Sequence, residues 1–370
     1  SWGTLEDVMI VFLNRKAYDD FRMTKEEKEL EKQIAGLSED ISWEYFARYN
    51  NNIMPTIILG ILFRMGALGG RIDPYYFAAL INVLQVLLAM YCVFRLGEKR
   101  NSVLGAWVGN ILFALYFLPI AGHSMSLYTD AMSFSFGIVG FYLWEKCKEQ
   151  NKKLKWWRDV ILLGILFGVA AVIKLTAIIP LIAILGYAIL KRERRLVCKA
   201  VCSLFVVIII WGACNHFTTL LPCEELRDSY GTPKLSYFVG IGLQGNGGYI
   251  DNQEYMARLN SIYGMDEKTE WSNQYIKENF AQFFNMDHII SKLRYNFANG
   301  DMGGYVFLQT AEPDSLFFGL MHYNGAYFWR YAMIMTSVMM SVYICIIMGA
   351  VINLFKNKEM DSVLVVTMLS

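Results

Sequence analysis

Long apolar segments, separated by short basic clusters, constrain this chain more than any other feature. The apolar segments cover residues 53–69, 75–94, 104–122, 127–144, 160–190, 197–220 and 327–355. A membrane-spanning helix needs about 20 such residues, and a backbone in lipid satisfies its own hydrogen bonds most simply as a helix. The chain is 55% hydrophobic and only 18% charged. The pattern predicts an all-α polytopic membrane protein, and a net charge of +1 gives no reason to expect a nucleic-acid partner.

Two of the apolar segments are unusual. Residues 160–190 form a run too long for one ordinary helix, and Lys174 and Pro180 near its middle predict two spans joined by a tight turn. Residues 53–69 are short for a span and include Arg64, which is costly in mid-bilayer. We therefore expect this segment to lie in the interface rather than to cross, although a short span is the alternative.

The basic clusters predict which side each loop occupies. They lie at residues 95–100, 146–158, 191–195 and 356–358, and the positive-inside rule places all four in the cytoplasm. Alternating spans satisfy the rule if residues 122–127, the turn at Lys174 and the polar region after residue 220 are external. The predicted divisions are a first external loop region 1–52, a transmembrane bundle 53–220, an external region 221–324 and C-terminal transmembrane helices 325–370. We expect a multi-pass protein of the plasma membrane.

The ends of the sequence suggest a larger protein. The chain begins at Ser1 without a signal peptide, and it ends inside an apolar run. We expect it to be part of a longer protein whose first membrane helix precedes residue 1.

Four charged residues are candidates for a site on the external face. Asp130 begins an apolar segment, where an ionisable group is costly unless it is functional or paired, although it could simply cap a helix. Lys174 could neutralise a phosphate or could merely reach the interface. The predicted topology brings both to the face that carries Glu6 and Asp7. One carboxylate could then act as a general base, while a second stabilises charge developing on a sugar.

The sequence offers no recognisable metal or nucleotide motif. The four histidines are scattered without an HExxH pattern, and the seven cysteines form no CxxC pair. A phosphate-binding loop that ends in Lys-Ser or Lys-Thr is also missing. The sequence predicts no cofactor, with a divalent metal as the alternative.

Several short motifs, taken in order, carry a family resemblance. They are Glu6-Asp7 ahead of a polar segment, Tyr49-Asn50-Asn51-Asn52 at the start of an apolar segment, Tyr128-Thr129-Asp130 at a helix start, and Ile173-Lys174-Leu175-Thr176 late in a long apolar run. Together they resemble the GT-C integral-membrane glycosyltransferases, and most closely the bacterial branch akin to protein mannosyltransferases and the aminoarabinose lipid A transferase. Asn50 and Leu175 stand where related Gram-positive sequences tend to have proline.

The resemblance implies a GT-C-like helix bundle whose activity lies at the outer membrane face. Such enzymes transfer a sugar from a polyprenyl-phosphate-linked donor, here to a lipid, glycan polymer or protein acceptor. Carried over by position, the resemblance makes Asp7, or less readily Glu6, the base of the first external loop and Asp130 the second acid. It makes Lys174 a contact to the carrier phosphate. The remaining substrate-binding positions are Tyr128, Asn51 and Asn52, the two asparagines as part of the cavity wall.

A second, weaker similarity lies in the external region, at Gly242 to Tyr249 and Lys292 to Gly304. Glycines allow a ligand to approach the backbone closely, but the same composition is typical of a turn-rich loop. The aromatic residues Trp271, Tyr275, Phe283 and Phe284 are expected to pack helices that lie on the membrane rather than to bind sugar.

Two other functions are compatible with the same charges. In a transporter or flippase of lipid-linked sugars they would line a translocation path, but such proteins usually contain inverted repeats, and we find no internal repeat. A non-catalytic subunit of cell-envelope assembly is the third interpretation.

Overall fold

A computed structural model describes residues 39–68, 74–100, 103–125, 127, 129–148, 153–245, 253–297, 316–321 and 324–357. Within these ranges every regular element is helical. The predicted site residues Glu6, Asp7 and Tyr128 lie outside the described residues.

The helices follow the apolar segments and continue through the polar region after residue 220. In chain order they are α1 (Glu39–Arg48), α2 (Ile53–Leu68), α3 (Pro74–Arg100), α4 (Val103–Met125), α5 (Thr129–Cys147), α6 (Lys153–Ile173), α7 (Ile179–Leu190), α8 (Arg194–Thr218), α9 (Arg227–Tyr230), α10 (Lys234–Gly242), α11 (Gln253–Asn260), α12 (Met265–Glu278), α13 (Met286–Phe297), α14 (Leu316–Met321) and α15 (Phe328–Asn357). Short 3-10 helices occur at Asn50–Asn52, Leu175–Ile178, Pro222–Glu224 and Phe280–Phe284.

The chain divides into two compact units, of which the first comprises residues 1–60 and 217–299. One small core of this unit joins α1 to the start of α2 and to the 3-10 helix Pro222–Glu224, through Phe46, Ile53 and Cys223. A second core joins α10, α11 and α12 around Tyr237 and Tyr255. The unit thus combines the end of the N-terminal polar region with most of the polar region after residue 220. The predicted domain boundaries stay predictions.

The second unit comprises residues 61–216 and 300–370 and contains the long apolar helices. A large core of this unit is formed by side chains of α5, α6, α7 and α8, with Trp144, Phe167 and Ile184 fully buried. Helix packing here depends on small residues, which let helices approach closely in a membrane. A Cβ at Gly140 would lie 2.3 Å from Cζ of Phe167, so α5 and α6 touch at this point.

Four of the described helices are long and apolar enough to cross a membrane: Tyr76–Lys99, Lys155–Ile173, Arg194–Thr218 and Phe328–Gly349. Many large apolar side chains on them are exposed, Leu87 on α3 and Ile208 on α8 among them. Exposed apolar surface of this extent suits lipid rather than water. The chain is therefore a membrane protein. Helix α5, predicted as a span, is outside this group and carries Asp130, Ser133 and Ser135 in its first half.

The long apolar run 160–190 is interrupted, as Lys174 and Pro180 predicted. Helix α6 ends at Ile173, Lys174 is extended with φ −151° and ψ 117°, and a 3-10 turn leads into α7. Pro180 lies in the first turn of α7, where its missing N–H is not needed. The interruption places an extended, charged residue between two apolar helices.

Candidate functional site

Asp130 and Lys174 form an ion pair, in which the Lys174 ammonium donates to Oδ1 of Asp130. The two residues are 44 positions apart in the chain and belong to the second unit, with Asp130 at the start of α5 and Lys174 between α6 and α7. The sequence predicted that both lie on one face of the membrane but did not predict direct contact. The pair also changes the interpretation of Lys174, because an ion-pair partner explains a charge in an apolar run better than reach to the interface alone.

Asp130 is in the first turn of α5. Backbone N–H groups at a helix N-terminus have no partner within the helix, and the helix dipole favours a negative charge there. The neighbouring Thr129 and Ser133 are buried, whereas the Asp130 side chain is 45% exposed. The helix start thus stabilises the carboxylate while leaving it accessible.

Lys174 is held by the interruption between α6 and α7. Its N–H donates to Ala170 O at 2.8 Å, closing the last turn of α6, and its C=O accepts from Ala177 N at 2.9 Å, opening the 3-10 turn. The backbone on both sides is therefore fixed. The Lys174 side chain is 33% exposed, so the ammonium is also within reach of a ligand.

Contact between α5 and α7 sets the distance between the two charges. A Cβ at Gly137 would lie 3.0 Å from Cγ of Pro180. Gly137 is seven residues after Asp130, which is about two turns and hence the same face of α5. Further along this face, Phe141 and Trp144 enter the core that α7 shares. The same packing that builds the core thus brings Asp130 to Lys174.

Helix α5 also packs against α3 through polar side chains. Ser135 Oγ donates to Oε1 of Gln85 at 3.0 Å. Asn82, which precedes Gln85 by three residues on α3, is also buried. Polar contacts of this kind hold membrane helices together in a defined register. They orient the first half of α5, on which Asp130 lies.

A second ion pair, which sequence reasoning missed, contrasts with the first. Lys199 Nζ is 3.4 Å from Oδ2 of Asp159 and donates to Cys147 O at 2.7 Å, and the two charged side chains are 1% and 0% exposed. This pair joins α6 and α8 to the C-terminal end of α5, the opposite end from Asp130. A closed pair with satisfied hydrogen bonds is structural, whereas the half-exposed Asp130–Lys174 pair is open to a ligand.

The two asparagines of the predicted cavity wall have different roles in the first unit. Asn52 is buried, and its amide donates to Tyr45 Oη at 2.7 Å. Asn51 is exposed and donates to Oδ1 of Asn52 at 3.2 Å. Asn52 therefore links α1 to the start of α2, and Asn51 is the member of the pair that a ligand can reach.

The glycine-rich segment of the polar region after residue 220 is held by hydrogen bonds where it begins. Gly242 O accepts from Lys292 Nζ at 2.9 Å and is 3.0 Å from Nε2 of His288. Gly242 is the last residue of α10, and cationic side chains are favourable at a helix C-terminus. The rest of this glycine-rich segment, from residue 246 on, lies outside the described residues, which resume at residue 253. These contacts support a structural role for Lys292.

Lys268 is a further buried cation that the sequence did not reveal. Its ammonium donates to the carbonyls of Asp228, Ser229 and Gly231 at 3.2, 2.9 and 3.1 Å. Burial lowers the pKa of Lys268, the nearby Arg48 adds to this effect, and Asp228 acts in the opposite direction. All three N–H groups are used, so Lys268 fixes the C-terminal end of α9.

The described residues contain no group of three His, Cys, Asp or Glu side chains that could hold a metal ion. All seven cysteines are free, and burial raises the pKa of the Cys223 thiol. The chemical groups at the Asp130–Lys174 pair are thus one carboxylate and one ammonium, suited to a hydroxyl or a sugar on one side and a phosphate on the other.

Comparison with known proteins places this pair within a matched family segment. Residues 67–216 match the family described as dolichyl-phosphate-mannose-protein mannosyltransferase, and the match includes both Asp130 and Lys174. It covers less than half of the chain. No curated protein and no solved structure matches the chain.

The helical fold, the spanning helices and the family match together support the resemblance to membrane glycosyltransferases of the GT-C type. Within that class, the segment from α3 to α8 is similar to the protein mannosyltransferases that use dolichyl-phosphate-mannose. The predicted GT-C resemblance is thereby confirmed.

Proposed function

We propose that this protein transfers a sugar from a polyprenyl-phosphate-linked donor to a lipid, glycan polymer or protein acceptor at the outer face of the plasma membrane. The observation that carries the proposal is the half-exposed Asp130–Lys174 ion pair, which lies inside the family match. A carboxylate beside an ammonium suits a donor in which a sugar is joined directly to a phosphate. The positive-inside rule supports an outer site in a multi-pass protein.

The proposed reaction is a displacement at the anomeric carbon of the donor sugar. The acceptor hydroxyl loses its proton to a carboxylate, and its oxygen bonds to that carbon as the bond to the phosphate oxygen breaks. Polyprenyl phosphate leaves with the bonding electrons. The Lys174 ammonium stabilises the negative charge on the leaving phosphate. The Asp130 carboxylate stabilises the positive charge that develops on the sugar.

The remaining roles follow the family resemblance. Asp7, or in its place Glu6, is proposed as the general base from the first external loop, and Tyr128 as a substrate contact. Asn51, exposed and oriented by Asn52, is proposed to contact the substrate from the cavity wall.

Purified protein with synthetic donors tests the proposal. The protein is incubated in detergent with a panel of sugars linked to short polyprenyl phosphates, and release of free polyprenyl phosphate is followed with and without an extract of envelope acceptors. We expect release from at least one donor, and little release by Asp130→Asn. Transfer from nucleotide-linked sugars, with none from any lipid-linked donor, would overturn the proposal. The glycan or lipid that accumulates on gene deletion would identify the natural sugar.

A further inference from the structure

The Asp130–Lys174 ion pair leaves part of the ammonium unused. Lysine carries three N–H donors, and Asp130 accepts one of them. Within the described ranges neither side chain forms another ion pair. Both are partly exposed, so the resting site is a neutral pair with donor positions left over for an anion.

An arriving phosphate would disturb this pair rather than simply add to it. A phosphate that approaches Lys174 comes within a few ångströms of the Asp130 carboxylate, and the two negative groups repel one another. One ammonium cannot neutralise two anions. The described part of the chain supplies no second cation paired with either residue. Repulsion between the two anions weakens the hold of each on Lys174, so the phosphate and the carboxylate compete for the ammonium.

We propose that the Asp130–Lys174 ion pair is a resting state that the donor opens: the phosphate of the lipid-linked sugar displaces Asp130 from Lys174 and so releases the carboxylate for the reaction. This inference rests on the proposed function and adds that donor binding regulates the Asp130 carboxylate. The anomeric carbon is bonded to the phosphate, so the released carboxylate lies next to the atom that reacts. Before a donor binds, the Asp130 carboxylate is paired with Lys174.

The exchange predicts an unusual effect of removing a negative charge. Asp130→Asn keeps the size of the side chain but frees Lys174, so a phosphate should bind more tightly although turnover is lost. Because an exposed ion pair is weak, freeing Lys174 from it should lower the Kd for the phosphate by only roughly two- to fivefold. The tightening must depend on Lys174. In a Lys174→Met background, Asp130→Asn should leave Kd unchanged.

The test is a binding cycle on purified protein in detergent. Kd for farnesyl phosphate is measured by calorimetry for the wild type, Asp130→Asn, Lys174→Met and the double variant. Farnesol and inorganic phosphate are measured in parallel. Farnesol reports binding through the isoprenoid tail alone, inorganic phosphate reports binding of a free phosphate, and farnesyl phosphate reports binding of a lipid-borne phosphate. Asp287→Asn is the matched control, because Asp287 also lies in the first turn of a helix and forms no ion pair in the described structure.

The outcomes separate this inference from the function on which it rests. Tighter binding by Asp130→Asn that disappears without Lys174 supports the exchange. Unchanged or weaker binding by Asp130→Asn, with weaker binding by Lys174→Met, overturns the exchange and leaves the phosphate role of Lys174 standing. Equal binding by Lys174→Met and the wild type overturns both. Asp130→Ser serves as a second variant if the asparagine protein does not elute as a single folded species.

Discussion

The Lys174 ammonium contacts the Asp130 carboxylate across 44 residues of chain. One side chain starts a helix and the other interrupts an apolar run, and each would be costly alone in a membrane. Together they form a neutral, half-exposed pair within the segment that matches the family.

Lys174→Met should raise the apparent KM for a polyprenyl-linked donor, because it keeps the apolar stem and removes the charge that binds phosphate. Lys174→Arg should recover part of the affinity. Steady-state kinetics with a synthetic donor measure both constants. An unchanged KM and kcat in Lys174→Met would end the assignment to the carrier phosphate. Lys277→Met, in the exposed last turn of α12, is the matched control.

Asp130→Asn and Asp7→Asn should each yield a folded, membrane-inserted protein with little transfer. Loss of a general base typically costs roughly 10²- to 10⁴-fold in rate. We expect Asp7 to be the base and Asp130 to act electrostatically. Single-turnover assays report the chemical step directly. Near-normal transfer by Asp7→Asn would remove it from the mechanism and direct attention to Glu6.

Single cysteines at positions 38, 124 and 261, in a background without the native cysteines, should all react with a membrane-impermeant thiol reagent in intact cells. The positive-inside rule places all three outside. Of the three, Ser261 is exposed at the end of α11. Protection of position 38 alone would mean that residues 53–69 cross the membrane, which would separate Asp7 from the proposed site.

Gly140→Ala should lower the thermal stability of the purified protein. The new Cβ would lie 2.3 Å from Cζ of Phe167, which is fully buried, so the packed core around this ring must shift. Overpacking of this kind costs about 1–3 kcal/mol. Gly212→Ala, where a Cβ would meet nothing within 4 Å beyond its own helix backbone, is the control and should be neutral or slightly stabilising. A double variant with Phe167→Leu should recover stability. Equal melting temperatures for the alanine variants would contradict the close packing of α5 on α6.

Lys268→Met should destabilise the first unit, because the carbonyls of Ser229 and Gly231 lose the ammonium that they share. A buried acceptor without a partner costs about 1–3 kcal/mol. A variant whose only cysteine is the buried Cys223 provides the measurement, since that thiol reacts only when the unit opens.

The same pair of proteins tests the pKa of Lys268. Burial lowers that pKa below 10.5, so between the folded value and 10.5 the unfolded chain binds more protons than the folded one. Across that window the Lys268 contribution to stability rises with pH, and below it the contribution is constant. The advantage of the wild type over Lys268→Met should thus grow as the pH approaches 10.5. An advantage that shrinks with rising pH would contradict a lowered pKa.

Local features of the sequence determined the class of protein and the position of its helices. Apolar runs of sufficient length become helices in lipid whatever their neighbours, because the backbone N–H and C=O groups must form their hydrogen bonds within the segment. The interruption at Lys174 was equally local, since a charge and a nearby proline disfavour a continuous apolar helix. The short motifs around Asp130 and Lys174 indicated the GT-C class, which the family match confirms.

Only the tertiary structure decided which charges meet. Helical periodicity shows that Asp130 and Gly137 share a face, but it does not show that Pro180 packs there or that Lys174 therefore reaches Asp130. Nor did it show that Asp159 pairs with Lys199 in a closed core. Partners of this kind depend on close contact between helices distant in sequence, and that contact is set by the shapes of all the side chains between them.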